Sequence, residues 1–123
     1  MDEKEHVYGF EKLSVWQESR ELTNRIYKLS KEFPSEEKFG LTNQIRRAAV
    51  SVTANIAEGS SRKSKKDFAH FLQISYSSLV EVLSHLFIAY DLEYFNEKVF
   101  ITAKKDINKI SNKINALYNS QLH

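Results

Sequence analysis

Ser64 to Tyr90 reads SKKDFAHFLQISYSSLVEVLSHLFIAY, and this stretch decides the fold. Phe68, Leu72, Ser75, Leu79, Val82, Leu86 and Ala89 recur at alternating steps of four and three, which lines up one side of an α-helix. No proline or glycine interrupts the run. Ser64 with Asp67 three residues on marks its start, since a serine hydroxyl there satisfies an otherwise orphan N–H. The spacing predicts a helix roughly 40 Å long at 1.5 Å per residue. Phe71, Ile74, Tyr76, Phe87 and Ile88 lie off the main stripe. A helix apolar on more than one side is either central or covered by a second subunit.

Working outward, the same rhythm recurs three times. Val15, Ser19, Leu22, Ile26, Leu29 and Phe33 predict a first helix, opened by a Ser14–Gln17 capping box and stopped by Pro34. Leu41, Ile45, Ala48, Ala49, Val52 and Ile56 predict a second, over Leu41 to Glu58, with Gly59 as the left-handed residue after it. Phe100, Ala103, Ile107, Ile110, Ile114 and Leu117 predict a fourth, capped by Asn96 and stapled by Phe95 against Phe100. The chain has only three glycines and one proline, where average usage gives about eight and about six. Few turns mean long helices. The expected fold is all-α, an antiparallel up-and-down four-helix bundle. It forms a single domain over residues 13–121, with a partly ordered tail over residues 1–12.

Several chemistries are excluded. With no cysteine, there is no disulfide, thiolate metal site or cysteine nucleophile. Gly9, Gly40 and Gly59 are too scattered for a phosphate-cradling loop. The one Glu-x-x-His spacing, Glu3 to His6, falls in the tail; Glu81 and His85 are four apart and read as a hydrogen-bonded pair on a helix surface. No serine stands in a nucleophile elbow. The expectation is a non-enzymatic protein without catalytic residue, metal or cofactor. The charged start and the lack of a bilayer-length apolar run predict a soluble, cytoplasmic chain with no membrane partner.

Charge is distributed in blocks. Residues 40–66 carry six cations against one acid, whereas residues 67–95 carry four acids and no Lys or Arg. Arg46 and Arg47 fall on the second helix, and Arg62, Lys63, Lys65 and Lys66 crowd the turn into the third. Cations at a helix N-terminus oppose its dipole, which suggests an external anion such as a nucleic-acid phosphate. Their alternative role is pairing with acids of the third helix or with Glu58. Lys98, Lys105, Lys109 and Lys113 add a polar side to the fourth helix. Asn55 and Glu58 read as a structural polar network reaching Arg46 or Arg47. The surplus aromatic and aliphatic residues favour homo-oligomerisation.

Leu13-Ser14-Val15-Trp16, Phe33-Pro34, Phe39-Gly40-Leu41, Gln44 to Val52 (QIRRAAVSV), Asn55-Ile56-Ala57-Glu58-Gly59 and Asp67-Phe68 occur in order. Together they resemble the four-helix-bundle proteins encoded in intervening sequences of bacterial 23S rRNA genes, once labelled S23 ribosomal proteins. The accessory variability determinant of diversity-generating retroelements is similar. The resemblance implies a left-handed bundle assembled into a homopentameric ring, with a basic surface for RNA or DNA. It also implies partnership with a reverse transcriptase or a ribosomal component. Arg46 and Arg47 correspond to cations of the motif and Asn55 and Glu58 to its polar pair. Thr53, Ser77 and Glu93 depart from it, Glu93 standing where glycine is common. A protein-binding adaptor with no nucleic-acid role is the alternative reading.

Overall fold

The serine expected to open the third helix does so: the Asp67 N–H donates to Ser64 Oγ at 3.0 Å. Asn96 does the same for the fourth, accepting from the Val99 N–H at 2.9 Å. In this computed structural model, which describes residues 5–123, the helices are α1 (Ser14–Ser30), α2 (Leu41–Ser60), α3 (Lys65–Asp91) and α4 (Glu97–Gln121). Short 3-10 turns at Gly9–Lys12 and Ser35–Glu37 precede α1 and α2, and no strand occurs among the described residues. Each helix packs on its two neighbours in an antiparallel four-helix bundle, with the most extensive seam between α2 and α3 and the least between α1 and α4.

The predicted stripes meet in the centre. Leu22, Ile26, Ile45, Ile56, Leu72, Leu79, Leu86, Ile110 and Ile114 are all fully buried. Three serines share that core by turning their hydroxyls onto backbone. Ser19 donates to the Val15 carbonyl at 2.7 Å, Ser30 to that of Tyr27 at 3.2 Å, and Ser75 crosses to that of Val52 on α2 at 2.8 Å. A buried hydroxyl is tolerated only when so satisfied.

Helix ends depart from expectation in three places. Ser14 does not cap α1; it is already helical, and Leu13 holds the cap position without a side-chain bond. The reason is the 3-10 turn just before it, which brings the Glu11 carbonyl within 2.7 Å of the Gln17 amide that the capping box would have used. The first helix ends at Ser30, not Phe33. Phe33 is still buried, but as a loop residue against Tyr94 and Phe95. Gly59 is not a left-handed residue after α2: it lies inside the helix, and no described glycine has positive φ. A Cβ there would stand 2.6 Å from Phe71 Cβ, so glycine is required for the close approach of α3. Phe95 and Phe100 meet through Tyr90, whose ring lies 6.3 Å from the one and 5.1 Å from the other.

The end of α3 carries strain. Glu93 has φ of 64°, while the Tyr94 N–H reaches the Ala89 carbonyl at 3.0 Å and the Glu93 N–H that of Tyr90 at 2.9 Å. These two bonds make a Schellman motif, whose left-handed residue is cheapest as glycine. Glu93→Gly is therefore expected to raise stability by about 1 kcal/mol, which thermal unfolding would register as a rise of roughly 4 °C. An unchanged or lowered midpoint would remove the strain from the account. Beside it, the Tyr94 hydroxyl donates to Glu37 Oε2 at 2.7 Å, and that carboxylate pushes the phenol up to about 12. The bond ties the α1–α2 loop to the α3–α4 turn.

α3 is long and apolar enough to fall within the range of a membrane-spanning helix. Its excess lies outside the core stripe: Ile74, Tyr76, Val80, Phe87 and Ile88 are all exposed in the single chain.

Candidate nucleic-acid interface

The turn between α2 and α3 is built by backbone-directed serines. Ser60 donates to the Ala57 carbonyl at 2.7 Å and Ser61 to that of Glu58 at 2.7 Å, while the Arg62 N–H bonds the Gly59 carbonyl at 3.1 Å. These contacts satisfy the last carbonyls of α2. Ser64 then starts α3, so Arg62, Lys63, Lys65 and Lys66 are held within one tight connection, all exposed. The Arg62 guanidinium stands 5.4 Å from the centre of the Phe71 ring, and its Nε is 3.8 Å from Asp67. Lys63, Lys65 and Lys66 have no ionic partner among the described residues. Acids of α3 other than Asp67 therefore do not neutralise the cluster.

Arg46 and Arg47 are not part of it. They lie on the first half of α2, and about 21 Å of helix separates Arg46 from the end of α2, where the turn carrying Arg62 begins. Arg46 has a structural task. Its Nε donates to Ser30 Oγ at 2.7 Å and an Nη to the Tyr27 carbonyl at 3.2 Å, with the guanidinium 4.7 Å from the centre of the Tyr27 ring. It thus caps the C-terminal end of α1, where a cation also complements the dipole. Arg47 is exposed.

The expected Asn55–Glu58 network with Arg46 or Arg47 does not form within the chain. Asn55 Nδ2 donates instead to the Ser51 carbonyl at 2.8 Å and to Ser51 Oγ at 3.0 Å. Ser51 Oγ in turn lies 2.8 Å from Ser78 Oγ on α3. Glu58 is exposed and its side chain takes no hydrogen bond or ion pair among the described residues. The physical reason is geometric: the side chains of Arg46 and Glu58 leave α2 three turns apart, about 18 Å.

Two of the fourth-helix lysines turn to α1. Lys109 and Lys113 pair with Glu18 on α1 at 3.0 Å and 2.9 Å. Burial pushes the Glu18 carboxyl up, but its bonds to Lys113 and Lys109 and their charges outweigh this and hold it below the usual range. Arg25 and Asp106, 2.9 Å apart, join the same two helices. Glu81 and His85 meet at 3.1 Å as expected. No cluster of three or more metal-capable side chains occurs among the described residues, and Glu3 lies outside them.

The architecture defines a class, the antiparallel four-helix bundle with a cationic inter-helix turn. Within it, the chain belongs to the 23S rRNA-intervening sequence protein family, whose profile matches residues 11–116. It is similar in structure to a protein of unknown function from the S23 ribosomal protein family of Bacteroides thetaiotaomicron. The two share 27% identity at a TM-score of 0.79, covering 85% of this chain and 95% of that one. No protein of curated function matches the chain.

Proposed function

We propose that the protein is a non-enzymatic, homo-oligomeric helical scaffold whose α2–α3 turn contacts the phosphates of RNA or DNA. The observation that carries this reading is the group Lys63, Lys65 and Lys66, exposed and without ionic partners beside the start of α3. The helix dipole makes that the least favourable place for them unless an anion arrives. Membership of the 23S rRNA-intervening sequence protein family is in keeping with it. Assembly is supported by the uncovered apolar side of α3, where Val80 is 48% and Ile88 46% exposed. A non-enzymatic role is supported by the serines, whose hydroxyls Ser19, Ser30, Ser60, Ser61 and Ser75 all direct at backbone carbonyls.

The test is binding of labelled mixed-sequence RNA and DNA at about 50 and about 200 mM salt, with the four cations Arg62, Lys63, Lys65 and Lys66 changed together to Gln. Affinity is expected to fall at least roughly tenfold on substitution, with a shallower salt dependence, because each lost phosphate contact removes about 0.7 to 0.9 from the log–log slope. No binding at the lower salt, or no loss in the variant, would sink the proposal. Light scattering checks assembly, and the pentamer implied by the family resemblance has five times the 14.3 kDa chain mass.

A further inference from the structure

At the opposite end of the bundle from the cationic turn, α1 and α4 flank a cleft of about 340 Å³. Its floor and walls are apolar, formed by Leu22, Ile26, Leu29, Val99 and Ala103. The Arg25–Asp106 ion pair, 2.9 Å long, spans the cleft at its lower end and uses up both charges. Thr102 is likewise occupied, its hydroxyl donating to the Lys98 carbonyl at 3.0 Å. What remains is one ammonium group on each bank, Lys28 from α1 and Lys98 from α4, neither with an ionic partner among the described residues. Lys98 also belongs to the first turn of α4, whose dipole adds to the positive potential.

We propose that this cleft is a binding site for a small amphipathic anion, with its apolar body on the Leu29–Val99–Ala103 walls and its charged head between Lys28 and Lys98. The volume is that of a small-molecule site, where apolar walls supply affinity and a few polar groups set orientation. The ion pair at the lower end argues against a docked helix, which would have to break it to run through. The charge of the free rim selects the sign of the head group. This site is independent of the nucleic-acid reading, being built from other helices and other residues.

The experiment uses the full chain with anilinonaphthalene sulfonate as fluorescent probe and decanoate as competitor. Decyltrimethylammonium, with a matched apolar body and the opposite charge, is the control. Saturable displacement at one decanoate per chain is expected, with the ammonium amphiphile at least roughly tenfold weaker. The double variant Lys28→Glu with Lys98→Glu is expected to lose decanoate by a similar factor while leaving the core untouched. Ala103→Trp fills the cleft and is expected to abolish binding in a chain that still melts cooperatively. Equal binding of both head groups, undiminished binding by the charge-reversed chain, or retention by folded Ala103→Trp would each overturn the proposal. So would the absence of saturable binding below micelle formation, whether through weak affinity or because a second copy covers the cleft.

Discussion

Gly59→Val is expected to cost about 3 kcal/mol of stability, and Gly59→Ala is expected to be destabilising as well, by about 1 kcal/mol. The alanine result is the informative one, because glycine inside a helix is ordinarily worse than alanine by roughly 1 kcal/mol. Here the added methyl would stand 2.6 Å from Phe71 Cβ and 3.0 Å from Phe68 Cδ1. The Phe68 contact is with a ring edge that can rotate. The Phe71 contact is with an atom fixed to the backbone, so α3 itself must shift. For the same reason Phe71→Ala does not relieve the clash, since alanine keeps that Cβ. Urea unfolding of both variants measures it, and a stabilised Gly59→Ala would show that α2 and α3 are not held this close.

Leu72→Ala is expected to cost about 3 to 4 kcal/mol, a transfer term plus the cavity left behind. That is a large share of the roughly 5 to 15 kcal/mol by which domains are stable. Ile74, two residues along the same helix, is 37% exposed where Leu72 is 0%. Ile74→Ala is therefore expected to cost at least roughly 2 kcal/mol less in the dissociated chain, since part of its surface is already wet. Thermal unfolding at two protein concentrations separates the cases. If both substitutions cost the same at low concentration, the outer side of α3 is as dry as the inner, contrary to the exposure of Ile74.

The heptad rhythm of α3 was legible because it is local: a residue's neighbours three and four positions away reveal its side of the helix. The caps Ser64 and Asn96 were legible for the same reason. Gly59 was misread because its partners, Phe68 and Phe71, belong to another helix. Nothing within a turn of sequence distinguishes a glycine that ends a helix from one that lets a helix come near. Arg46 was assigned to Glu58 or to a phosphate because its true acceptors, Ser30 and the Tyr27 carbonyl, are a loop away. Lys109 and Lys113 of α4 find Glu18 more than 90 positions away in the chain. The cations Arg62 to Lys66 stay together because a tight turn keeps sequence neighbours together in space. The cleft between α1 and α4 had no such signal, being made by two segments far apart in the chain.

That last separation has a consequence for how the bundle closes. α1–α2, α2–α3 and α3–α4 pair across short turns, whereas Lys113 Nζ meets Ser14 Oγ at 3.3 Å over 99 positions of sequence. The outer ends of the first and last helices therefore stand side by side, and the topology is nearly that of a closed loop of four rods. Loop-closure entropy makes the α1–α4 pairing the costliest of the four to form from the open chain. A rearranged chain, cut at the α2–α3 turn and rejoined across Ser14 and α4, would convert that remote pairing into a hairpin while keeping every helix intact.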